Sequence, residues 1–177
     1  MEKERCLVGD IKASKLLTLD FVKKNLNTIK NAELALIEGY FVTDRFDIVS
    51  HLVDYFNSNN KKVAFTLGAV FLMENYYERM IEVSNKSDII FCNIEEACAL
   101  AKINSENSVE AANKIHSILT PKDRLLVITD GSKPVLISKY DYSKNIIDFE
   151  VKKYIPKISK EKIVDTNGCG DCKLDYK

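Results

Sequence analysis

"KKVAFTLGAVFLMENYYERMIEVSNKSDIIFCNIEEACALAK" (residues 61–102) decides the fold. "KKVAFTLG" is a short apolar, partly β-branched run that ends on glycine, and reads as a strand. "AVFLMENYYERMIEVSNK" follows at helical length, and "SDIIFCN" is again a strand. "IEEACALAKI" then starts a helix whose first turn is acidic, as the positive end of a helix dipole favours. Strands alternating with helices of about ten residues or more build βαβ units, and such units imply an α/β fold with a mainly parallel sheet.

The pattern extends both ways. Upstream, "ELALIEGYFV" (33–42) reads as a buried strand running into a loop. The next stretch repeats apolar residues at Phe46, Val49, Leu52, Val53 and Phe56, which is helical spacing. "TLDFVKKNLNTIKN" before it carries a further helical segment. Downstream, "SVEAANKIHSILT" places Val109, Ala112, Ile115 and Ile118 on one helical face, and "DRLLVITDG" is a strand ending in a turn. After Gly131 the period changes to alternation, with a loop at Asp141 to Asn145, so antiparallel edge strands are expected near 134–155. No repeat, linker or low-complexity tract divides the chain, and residues 1–177 read as one domain.

Composition narrows the function. The 177 residues are 46% hydrophobic, and 26 basic side chains balance 26 acidic ones. Zero net charge removes the electrostatic footprint of a nucleic-acid partner. No apolar run approaches the roughly 20 residues of a membrane span, the N-terminus lacks a leader pattern, and a cytoplasmic location is expected. Five cysteines without framework spacing favour reduced thiols. Cys169 and Cys172 form a CxxC pair, but neither Cys92 and Cys98 nor the histidines, His51 and His116, supply a second pair spaced for zinc.

In an open parallel sheet ligands bind outside the carboxyl ends of the strands. Gly39-Tyr40-Phe41, Thr66 to Phe71, Asn93 to Glu96 and Thr129 to Gly131 are all expected there. A further candidate is "DTNGCGD" (165–171). Gly168 and Gly170 open backbone conformations in which successive N–H groups point into one concavity and hold an anion. Asp171 would then lie beside that anion, a layout suited to phosphoryl transfer. An Asp-capped turn is the plainer alternative for the same residues.

"VDTNGCGD" resembles the C-terminal signature of the PfkB, or ribokinase-like, family of sugar and nucleoside kinases, in the form found in its adenosine kinases. Cys169 replaces the usual alanine. "EGYFVT", "FTLGAVFL", "DIIFCNIEEACALAK" and "VITDG" resemble further segments of that family in the same order, so the likeness spans nearly the whole chain. It implies a ribokinase-like three-layer sandwich and ATP-dependent transfer to the 5′-hydroxyl of adenosine, giving AMP, with Mg²⁺ beside the ATP phosphates.

Residue by residue, the resemblance implies Asp171 as catalytic base and Gly168, Cys169 and Gly170 as the anion hole. Asn93 and Glu96 match the NxxE motif, Glu96 acting on the metal through water, and Thr129 and Gly131 match the turn that contacts the nucleotide. Phe41, or its neighbour Tyr40, and Phe71 match the aromatic lining of the nucleoside pocket, and Ile11 and Ala13 fall where lid residues touch the base. Thr66, Gly68 and Val70 stand where Asn, Ser and Pro are usual. An N-terminal sugar-binding segment and the C-terminal helices of the family have no counterpart in the sequence, and "CKLDYK" follows the signature instead. The complete family member is expected to be a monomer. A non-catalytic nucleotide-binding remnant and a sugar kinase are the alternatives, and aromatic stacking surfaces at Tyr40, Phe41 and Phe71 favour a purine over a hexose.

Overall fold

The computed structural model describes residues 13–131 and 133–152. After a 3₁₀ turn (Ala13–Leu16) come α1 (Leu19–Lys24) and α2 (Leu26–Ile29), which replace the continuous helical segment expected before the first strand. The chain then alternates: β1 (Leu34–Glu38), α3 (Phe41–Asp44), α4 (Phe46–Ser58), β2 (Lys62–Thr66), α5 (Val70–Lys86), β3 (Ile89–Asn93), α6 (Ile94–Ala101), α7 (Ser108–Ile118) and β4 (Arg124–Asp130). A hairpin of β5 (Lys133–Asp141) and β6 (Ile146–Lys152) completes it.

The six strands form one sheet in chain order, β1 to β4 parallel and the hairpin antiparallel, as the change of period after Gly131 predicts. Because order in the sheet follows order in the chain, every crossover steps in the same direction. Right-handed connections then place α4 to α7 on one face. Burial bears this out. Val63, Phe65, Ile90, Cys92, Leu126, Ile128 and Leu136 point to that face and join Val49, Val53, Leu72, Met80, Leu100 and Ile115 of the helices in one core. The alternate residues Ile89, Phe91, Leu125, Val127 and Ile137 are only half-buried.

Three expectations change. β1 ends at Glu38, before the Gly39-Tyr40-Phe41 loop expected there, but that loop runs at once into a single helical turn that begins at Phe41. Among the described residues β1 is an edge strand rather than a buried one: Leu34 is 50% and Leu36 43% exposed, and only Ile37 of this strand is buried in the core. On α7, Asn107 accepts the Val109 and Glu110 N–H groups and so sets the helix phase, turning Ala111, Ala112, Ile115 and His116 inward and leaving Val109 exposed.

Candidate active site

Four parallel strands in sequential order bring the loops after β1, β2, β3 and β4 to one edge of the sheet. The ends of β1 and β2 meet most closely. The Gly39 N–H donates to the Thr66 carbonyl at 2.8 Å, and a Cβ on Gly39 would lie 2.1 Å from the Leu67 carbonyl oxygen. Glycine is therefore required at position 39 for the two backbones to approach. Gly68 adopts a φ of +86°, and a Cβ there would press on the Tyr40 ring at 3.2 Å. A side chain in place of Gly68 would take the space that Tyr40 fills.

Tyr40 ends up against Phe71. Their ring centroids are 6.0 Å apart at an interplanar angle of 53°, and the Tyr40 hydroxyl donates to the Gly68 carbonyl at 3.4 Å. Both rings stay open to solvent, Tyr40 at 51% and Phe71 at 45%. Rings this exposed do not serve as core. Phe41 is separated from this pair: it packs on the core, with the Arg45 guanidinium 5.1 Å from its ring centroid. Tyr76 and Tyr77 also pack on the core.

Asn93 ends β3 and caps α6. Its Oδ1 accepts the Glu96 N–H at 2.7 Å, and Glu96 returns the bond by accepting the Asn93 N–H at 3.0 Å and the Asn93 side-chain amide at 3.1 Å. Glu96 is 7% exposed, so the acidic first turn serves a capping box. The first N–H groups of α6 lie at this edge, where a helix N-terminus favours an anion. Among the described residues no cluster of three or more His, Cys, Asp or Glu side chains could hold a metal ion.

Thr129 pairs with Asn93 across β3 and β4, and its hydroxyl donates to the Cys92 carbonyl at 3.4 Å. Beyond it Gly131 turns at φ +50° with open space where a Cβ would stand. A hollow of about 350 Å³ adjoins this turn, lined by Asn107, Val109, Asp130, Lys133 and Pro134 among others. Asp130 accepts from Lys133 at 2.8 Å, and that hydrogen bond and charge raise the Lys133 ammonium above its ordinary range. Cys92 and Cys98 are both buried, and burial pushes the Cys98 thiol up, against the Ser105 backbone contact.

The structure thus gathers Tyr40, Phe71, Asn93, Glu96, Thr129 and Gly131 along one edge and sets Phe41 apart. Ala13 falls in the 3₁₀ turn at the start of the described chain. Ile11, Gly168, Cys169, Gly170 and Asp171 lie outside the described residues. Arg79, which reaches the loop after β1 from α5, has no motif in the sequence; the one sign of it is a cation eight positions beyond Phe71. Among the described residues no helix is long and apolar enough to cross a membrane.

Comparison with known proteins gives the same picture. Residues 3–173 match the pfkB family carbohydrate kinase profile. Adenosine kinase 2 of Arabidopsis thaliana is 31% identical over 180 residues, covering 95% of this chain and 49% of the relative. Adenosine kinase of Dictyostelium discoideum is 29% identical, covering 96% and 50%. The chain therefore spans about half the length of the curated relatives it matches. In structure it is similar to Anopheles gambiae adenosine kinase in complex with P1,P4-di(adenosine-5) tetraphosphate, with a TM-score of 0.78 and 25% identity over 90% of this chain and 48% of that one. Schistosoma mansoni adenosine kinase in complex with 2-fluoroadenosine shares the fold at a TM-score of 0.74 and 22% identity, over 88% and 46%. With the fold, the order of the strand-end loops and a match over nearly all of its length in agreement, this chain belongs to the pfkB family of carbohydrate kinases.

Proposed function

We propose that this chain forms one kinase domain, over residues 1–177, that transfers the γ-phosphoryl group of ATP to the 5′-hydroxyl of adenosine, giving AMP and ADP. The observation that carries the choice of a nucleoside is the Tyr40–Phe71 pair, two exposed rings at the carboxyl edge of the sheet. A purine gains from such faces what a sugar ring does not. The similarity to proteins named adenosine kinase supports the same reading.

In this reading Tyr40 and Phe71 hold the base, and the Gly68 carbonyl fixes the Tyr40 hydroxyl behind it. The N-terminus of α6, with Asn93 and Thr129 beside it, faces the nucleotide phosphates, and Gly131 leaves room for the nucleotide. Asp171 accepts the proton of the 5′-hydroxyl as that oxygen bonds to the γ-phosphorus and the bond from this phosphorus to ADP breaks. The N–H groups of Gly168, Cys169 and Gly170 meet the charge on the transferred group. Mg²⁺ would accompany ATP and offset its phosphate charge. The described residues supply no ligand set for it. Both Glu96 carboxylate oxygens are engaged by Asn93, so Glu96 fits the ion only through water.

Incubation of the protein with adenosine, ATP and Mg²⁺ tests this. AMP and ADP should form in equal amounts, and Asp171→Asn should reduce the rate by roughly 10²-fold or more. Absence of turnover, or equal turnover of ribose and adenosine, would overturn the reading.

A further inference from the structure

Arg79 lies on α5 beyond a break in the helix at Tyr76, where φ is −133° and ψ is 30°. Its Nη1 donates to the Thr43 carbonyl at 2.7 Å and to the Val42 carbonyl at 3.4 Å. Its guanidinium carbon is 5.3 Å from the Phe46 ring centroid and 5.6 Å from that of Tyr76. One side chain thus joins α5, two carbonyls of α3 and the first residue of α4.

The element it holds cannot stand alone. α3 is four residues long, far below the length at which an isolated helix is stable, and no side chain caps its start. A cation at its carbonyl end meets both the orphan acceptors and the helix dipole. From there a series of contacts leads to the aromatic pair. Thr43 Oγ1 donates to the Tyr40 carbonyl at 2.9 Å, the Val42 N–H donates to the Gly39 carbonyl at 3.0 Å, and the Tyr40 ring leans on Phe71 at the start of α5.

We infer that Arg79 is a positioning residue that sets the Tyr40 ring over Phe71. By stacking on Tyr76, at the break between the segment of α5 that carries Phe71 and its own, while donating to the carbonyls of α3, it fixes the separation and tilt of the two rings. Lysine is not equivalent: an ammonium reaches one carbonyl as a point charge, while only the planar guanidinium both stacks on Phe46 and Tyr76 and donates to Thr43 and Val42. The consequence for ligands rests on reading Tyr40 and Phe71 as the nucleoside wall; the effect on ring geometry does not.

The test has two arms, each on the whole protein. Without ligand, NMR of protein labelled at tyrosine and phenylalanine reads the Overhauser contacts between the Tyr40 and Phe71 rings. Arg79→Met is expected to lose them and Arg79→Lys to keep them in part, with the fold otherwise intact. Full contacts in either variant overturn the inference, and Arg79→Lys decides the matter should Arg79→Met not fold. With ligand, calorimetric titration of adenosine is expected to show a Kd raised about five- to tenfold in Arg79→Met, the scale of one charged hydrogen bond with its stacking, and an unchanged Kd for ATP. An unchanged adenosine Kd also counts against it. Failure of the wild type to bind adenosine defeats the nucleoside reading alone, because the ligand-free arm still reports on Arg79.

Discussion

Asn93 and Glu96 complete each other's hydrogen bonds: the Asn93 side chain accepts the Glu96 N–H at 2.7 Å, and the Glu96 carboxylate accepts the Asn93 N–H at 3.0 Å. This reciprocity fixes the start of α6 at the edge where the strand-end loops gather. It also keeps a nearly buried carboxylate solvated by the protein. Asn93→Ala removes a helix cap and one donor to that carboxylate together, so a loss of about 1–2 kcal/mol is expected in urea unfolding. A midpoint equal to that of the wild type would show the box to be dispensable.

The faces of the sheet give a comparison between sequence neighbours. Ile90 is fully buried under the helices, while Ile89 on the opposite face is half-buried. Ile90→Ala should cost about 2–5 kcal/mol, and Ile89→Ala clearly less. Equal losses in chemical denaturation would mean that both faces are packed alike.

Gly39 is expected to tolerate no side chain. The contact of 2.1 Å to the Leu67 carbonyl involves backbone on both sides and cannot be relieved by a rotamer change. Gly39→Ala should therefore destabilise by roughly 1–3 kcal/mol and shift the resonances of Tyr40 and Leu67. Gly131→Ala is the control for crowding, since no atom lies within 4 Å of its Cβ position. Only the strain of its positive φ remains to be felt there.

His116 is expected to contribute to the acid limb of stability. It is 6% exposed, its Nε2 is 2.9 Å from the Ser138 hydroxyl, its ring stacks on Tyr140, and its buried Nδ1 has no hydrogen-bond partner among the described residues. Burial, and then the nearby Arg124 charge, lower its pKa from 6.5 to about 4. The folded protein thus binds the proton less readily than the unfolded chain. The contribution is fully present above about pH 6.5 and is lost as pH falls toward 4, an effect on the order of 2 kcal/mol. Unfolding free energies between pH 4 and 7 should show this slope in the wild type and a flatter one in His116→Gln. Identical slopes would assign the acid sensitivity elsewhere.

Much of this was legible in the sequence, and the boundary of what was not is physical. β2, α5, β3 and α6 follow from apolar periodicity, because each buries one face or run in the same core. The Asn93–Glu96 pair is a local spacing and is visible as such. The end of β1 near Gly39 was visible, but the helical turn after it was not: the chain folds into α3 where the backbone of β2 comes within contact of Gly39, a tertiary cause. Arg79 was hidden for the same reason: Thr43 and Phe46 lie more than thirty positions away in the chain. Phe41 and Tyr40 were not separable by pattern, since the turn of α3 alone decides which ring faces Phe71. Exposure of Val109 depends on the phase that Asn107 sets for α7.

The central claim is that the Tyr40–Phe71 edge receives a purine nucleoside. Calorimetric titration of adenosine and of ribose into the wild type, Tyr40→Ala and Phe71→Ala tests it most directly. The account predicts saturable adenosine binding by the wild type, weaker binding of ribose, and a loss of about tenfold in adenosine affinity in each variant, the scale of one stacking ring. Adenosine binding that is absent in the wild type, or unaltered in both variants, would contradict it.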